Sequence, residues 1–126
     1  MQKEVLIRYS LIILVVEKII HHTFVSLAFL YDFGGVRSTV AVDYRGLMIS
    51  GAVIAILFAV TLPAVIRKKR WSLYLAALLA ASDIIGEFIA QGTVLIAINV
   101  SITVAVILLL LSIYGLRTGI YRMHIQ

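Results

Sequence analysis

Cysteine is absent from the 126-residue chain. Disulfides, thiolate metal sites and thiol redox chemistry are therefore excluded. Charge is also scarce: Asp, Glu, Lys and Arg make up 13% of the residues, about half the share usual in soluble domains, and proline occurs once. So little charge cannot clothe a water-facing surface, and a single proline leaves long helices uninterrupted. What remains is apolar. Hydrophobic residues reach 63%, against roughly 45–50% in soluble domains, and mean hydropathy is +1.11. This composition predicts an all-α integral membrane protein. At about 20 residues per span, the length allows about four spans with short connections, hence one domain over 1–126 and no soluble module.

The apolar runs predict spans over 5–30, 47–66, 71–91 and 94–115. The first run carries Glu17-Lys18 and no small-residue cleavage pattern, so it reads as an uncleaved span and not a signal peptide. The stretch from Tyr31 to Gly46 is the long connection, a neutral interfacial loop with Gly34, Gly35 and the belt residues Tyr31 and Tyr44. The second span has Gly51, Ala55 and Ala59 at four-residue spacing, suited to close helix packing, and Pro63 in its last turn. Ala76, Ala77, Ala80 and Ala81 thin the third span. The fourth carries Ala97, Ser101 and Ala105, and Gly92-Thr93 makes the turn before it.

The net charge of +5 is distributed for orientation and not for nucleic-acid binding. Lys3, Arg8, Arg67, Lys68, Lys69, Arg70, Arg117 and Arg122 gather at one set of span ends against Glu4 alone. The other connections balance Arg37 and Arg45 with Asp32 and Asp43. By the positive-inside rule this predicts a multi-pass protein of the plasma or inner membrane, a four-helix antiparallel bundle with both termini cytoplasmic. Arg67-Lys-Lys-Arg70 reads as a topogenic turn, not a nuclear-localisation or phosphate-binding patch.

Within the spans, polar residues are few and grouped. Glu17, Lys18, His21 and His22 lie in the first span, and Asp83, Glu87 and Gln91 lie four apart in the third. Residues four apart share a helix face, so Glu17 pairs with His21 and Lys18 with His22 on adjacent faces. With a rise of about 1.5 Å per residue, Glu17 and Lys18 sit about 14–15 Å from Arg8, His21 and His22 about 20–21 Å; Asp83 sits about 20 Å and Glu87 about 26 Å from Arg70. Asn99, Ser101 and Thr103 of the fourth span fall in or near the same layer. These groups are expected to converge in a lipid-shielded pocket, with His21 level with Asp83. A lone aspartate or glutamate at mid-depth costs roughly 2.5–3.5 kcal/mol, so the net charge of Glu17, Asp83 and Glu87 against Lys18 must be met by protons or a cation.

Three chemistries fit. Lys18 paired with Asp83 or Glu17 ties helices together in an oligomer or in a subunit of a larger membrane complex. Glu17, His21, Asp83 and Glu87, with His22 or Gln91, form an oxygen and nitrogen ligand set suited to a divalent Fe, Mn, Zn or Cu ion, although metal-binding bundles space Glu and His three apart and these pairs are four apart. The same titratable groups suit a proton- or ion-coupled transporter or channel. A glutamate midway along the first of four spans in a chain of this size resembles the layout of the small multidrug resistance exporters. That resemblance implies that Glu17 is a shared proton and substrate site. Lys18, His21, His22 and the acids of the third span depart from the pattern. Haem is disfavoured within one chain, because adjacent His21 and His22 point about 100° apart and His124 lies in the tail. Ser26, Ser82 and Ser101 lack the sequence context of a catalytic nucleophile, so catalysis by a nucleophile finds little support here.

Overall fold

The computed structural model describes residues 2–91 and 100–121, with only the backbone of Gln91. Among these residues the chain is all-helical: α1 (Gln2–Tyr31), a short 3-10 helix (Phe33–Thr39), α2 (Tyr44–Ile66), α3 (Arg70–Gln91) and α4 (Val100–Thr118). The four long helices are each long and apolar enough to cross a membrane. They match the predicted spans closely, α1 and α2 starting three residues earlier than expected and α4 running three residues further; the predicted start of the fourth span, at 94, lies outside the described residues.

The helices close into a ring, α1 lying most extensively against α2 and α3 against α4, with α2 meeting α3 and α1 meeting α4. Close approach of α1 and α2 depends on small residues. Gly51 is buried, and a Cβ added there would lie 2.8 Å from Ser26 Oγ, which itself donates to Met48 O at 3.0 Å. Ala55 is buried too, whereas Ala59, the third member of the expected stripe, faces outward. Half the bundle is packed with Leu11, Val15, Phe58, Val65, Leu73, Ala76, Ala80 and Leu108. The outer surface is equally apolar: Ile13, Ile56, Leu78 and Leu110 are each more than 60% exposed, which water would not tolerate over so large an area but acyl chains would.

Arginines hold the helix ends. The Arg8 guanidinium donates to Ile66 O at 3.0 Å and that of Arg70 to Leu116 O at 3.3 Å, so the carbonyls left open at the ends of α2 and α4 meet cations. Arg37 does the same for α1, donating to Phe29 O and Leu30 O, both at 2.9 Å, while its guanidinium lies 4.2 Å from the centre of the Tyr44 ring. The basic residues thus stitch helix termini together. The α2–α3 turn closes with Lys69 N–H donating to Ala64 O and Lys68 N–H to Val65 O, a double bond pattern that needs a left-handed residue between them. Lys68 supplies it at φ 59°, where α4 uses Gly119 at φ 67° for the equivalent bond from Ile120 N–H to Gly115 O.

Candidate functional site

Lys18 and His22 are one turn apart, so α1 presents both on one face, and the packing of α1 turns that face toward α3. There they meet Asp83. Lys18 Nζ lies 2.9 Å from Asp83 Oδ2 and His22 Nε2 lies 2.8 Å from Asp83 Oδ1. The His22 approach is a close contact and not an aligned hydrogen bond. Lys18 is fully buried, and the Asp83 side chain is 4% exposed.

The rest of the ammonium's environment explains how a lysine is tolerated at this depth. Nζ also donates to Ser101 O at 2.8 Å and to Ser101 Oγ at 3.1 Å. Three oxygens therefore lie within 3.1 Å of the ammonium, two accepting hydrogen bonds and one, the Asp83 carboxylate, balancing its charge as an ion pair. The arrangement joins α1, α3 and α4 at one point. α2 contributes from the side, with the Phe58 ring stacked on His22 at 6.0 Å and 16° between planes. The His21 ring stands edge-on to His22, 5.8 Å away.

Beside this cluster, toward the end of the bundle opposite the arginine-rich turns, opens a cavity of about 580 Å³. Its polar walls come from His21, His22, Ser50, Ser82, Asp83, Glu87 and Ser101, and its apolar walls include Val25, Phe29 and Ile54. Thr39 and Val40, at the end of the connection between α1 and α2, line it as well. That connection is pinned over the cavity: Ala41 N–H donates to Ala90 O of α3 at 2.9 Å, and Tyr44 stacks on Phe29. The expected interfacial loop is therefore an ordered strap. Its glycines, balanced charges and flanking tyrosines marked it in the sequence as a connection; nothing there showed that it would fold back over a pocket.

The structure thus brings Lys18, His22, Asp83 and Ser101 together and sets His21 and Glu87 on the same cavity. It is His22, and not His21, that reaches Asp83. Glu17 is not brought to the cavity; it lies one residue around the helix, in a shallow groove on the outer face of α1 with Ile13, Val16, Ile20, His21 and Phe24. Asn99 and the Gln91 side chain lie outside the described residues. Among the described residues, no group of three or more His, Asp or Glu side chains is placed to hold a metal ion. No protein family, characterised protein or solved structure matches the chain. The site's own chemistry therefore carries the functional reading.

Proposed function

We propose that this chain is a four-span integral membrane protein, its helices antiparallel and both termini cytoplasmic, that binds a proton or a small organic cation in the cavity beside Asp83. The arrangement is supported by the helix ends that meet: the start of α1 bonds the end of α2 through Arg8, and the start of α3 bonds the end of α4 through Arg70. Both contacts collect basic residues at one end, which the positive-inside rule assigns to the cytoplasm.

One observation carries the binding reading: a buried carboxylate, shared between Lys18 and His22, lies at the wall of a cavity that Glu87 also lines. With the histidines neutral, Asp83 and Glu87 against Lys18 leave one formal negative charge around the cavity. In a lipid-shielded space that charge favours a proton or a cation. The volume lies within the range of small-molecule sites, roughly 300–1,000 Å³, and the mix of apolar wall and few polar groups suits an ammonium on a hydrophobic body more than a bare ion. A divalent metal is opposed by the Lys18 ammonium, which already occupies Asp83 Oδ2.

Equilibrium dialysis of detergent-purified protein against tetraphenylphosphonium tests this. Saturable binding is expected, with proton release into weakly buffered solution and an affinity about tenfold lower in Glu87→Gln, equivalent to 1.4 kcal/mol. Absence of both saturable binding and proton exchange would falsify it. Near-stoichiometric Fe, Mn, Zn or Cu in protein purified without chelators would move the assignment to a metal site.

A second reading, a proton- or ion-coupled carrier, is favoured by the packing of the other half of the bundle with Leu11, Val15, Phe58, Leu73 and Leu108, while the cavity lies toward the opposite end. Liposome flux of the same cation under a proton gradient, present in wild type and lost in Asp83→Asn, distinguishes a carrier from a protein that only binds.

A further inference from the structure

The outer face of α1 poses a problem that the cavity does not solve. Glu17 is partly buried, yet its Oε2 is shielded from solvent and has no hydrogen-bond partner. It lies in a groove of about 420 Å³ that, among the described residues, is lined by α1 alone, and the apolar neighbours Ile13, Ile20 and Phe24 are 66%, 64% and 63% exposed. Nine residues separate it from Arg8, which bonds the end of α2, so it sits about 14 Å into the bundle by helical rise. On a lipid-facing surface at that depth, this leaves one carboxylate oxygen without water or a partner.

We propose that this face of α1, centred on Glu17 and His21, is the contact surface for a second copy of this chain, the two α1 helices packing side by side in the same membrane orientation. The charge pattern of the groove selects that occupant. Its titratable groups are one acid and one imidazole, a single helical turn apart. Two copies related by a two-fold axis therefore supply each Glu17 with His21 of the other copy, which is the reciprocal contact an isologous interface requires. Ile13, Ile20 and Phe24 flank the pair on the same stripe and provide the apolar surround that excludes lipid and water. The shared orientation follows from the basic end: both copies carry the same charge bias and insert the same way. The inference rests on placement of α1 in the membrane; the interface shares His21 with the cavity wall but does not require the cavity to bind a cation.

The chain has no cysteine, so single introduced cysteines report contacts directly. On oxidation in native membranes, Ile20→Cys is expected to form a disulfide-linked species of twice the 13.9 kDa chain, while Leu78→Cys, 64% exposed on α3, remains mostly monomeric. In mild detergent, Glu17→Leu is expected to raise the dimer dissociation constant about tenfold by leaving His21 of the other copy unpaired. Cross-linking of Ile20→Cys no greater than that of Leu78→Cys, or into an adduct of another mass, overturns the proposal. So does a dissociation constant unchanged in Glu17→Leu, the result for a face that meets only lipid. Efficient cross-linking of Ile13→Cys chains with Phe24→Cys chains, without the Ile20→Cys product, overturns the shared orientation. Cation binding can fail while Ile20→Cys still cross-links, so the two proposals are separable.

Discussion

Lys18 is the residue that most strains expectation, since a wholly buried ammonium in an apolar bundle is costly unless every proton is met. Ser101 O and Ser101 Oγ accept two of them, and the Asp83 carboxylate, 2.9 Å away, balances the charge. Removing one partner of such a pair leaves the other as an uncompensated buried charge, at a cost of about 3–5 kcal/mol, while removing both leaves no charge behind. Lys18→Met and Asp83→Asn are each expected to lower the stability of detergent-solubilised protein by that order, and the double variant to recover much of the loss. Thermal denaturation of the four proteins as a double-mutant cycle checks this; additive losses would mean that the pair is not coupled. Lys68 shows the opposite case, a residue at odds with its backbone. At φ 59° it occupies a left-handed position that suits glycine, as Gly119 does in the matching turn. Lys68→Gly is expected to raise stability by about 1 kcal/mol, the usual penalty for a side chain in that region. A lower melting temperature in that variant contradicts the strain.

At the scale of the helix, α1 and α2 approach through Gly51. A methyl group there would lie 2.8 Å from Ser26 Oγ, forcing the hydroxyl to rotate away from Met48 O or the helices to part. Gly51→Ala is therefore expected to destabilise by about 1–3 kcal/mol, the range for overpacking a close contact. Guided by the same geometry, Ser26→Ala in the Gly51→Ala background removes the obstructing oxygen and is expected to restore part of the loss, read by the same denaturation. The strap between α1 and α2 belongs to this scale too. Arg37 anchors it to the carbonyls of Phe29 and Leu30, and Ala41 to Ala90, so it contributes Thr39 and Val40 to the cavity as fixed walls.

For the whole molecule, the expected outcome is that reporters active only in the cytoplasm work when fused at either end, because Arg67–Arg70 and the flanking arginines outweigh the balanced connections. Activity of a periplasmic or extracellular reporter at the carboxyl end would overturn the assigned sidedness. The helices were legible because each is an apolar run followed by glycine or a basic cluster, signals that are local in the chain. The strap was not: its folding depends on Arg37 finding carbonyls seven and eight residues back and on Ala41 finding α3, contacts that no short-range pattern encodes. The polar layer was visible as a depth, but its internal pairing was not. Depth follows from counting residues, whereas pairing follows from how each helix is rotated about its axis.

That division marks what each level determines. Composition and the order of apolar and basic stretches, by themselves, determine four helices able to span a membrane, the end at which charge collects and the layer in which polar groups lie, because all three depend on transfer of side chains between water and an apolar phase. Only the tertiary structure decides that Lys18 and His22 turn inward to Asp83 while Glu17 turns out. The two stripes of α1 are about 100° apart and equally polar, so burial alone cannot choose between them. The choice is made by Ser101 from α4, Asp83 from α3 and Phe58 from α2, which together surround Lys18 and His22 and leave Glu17 on the outer face.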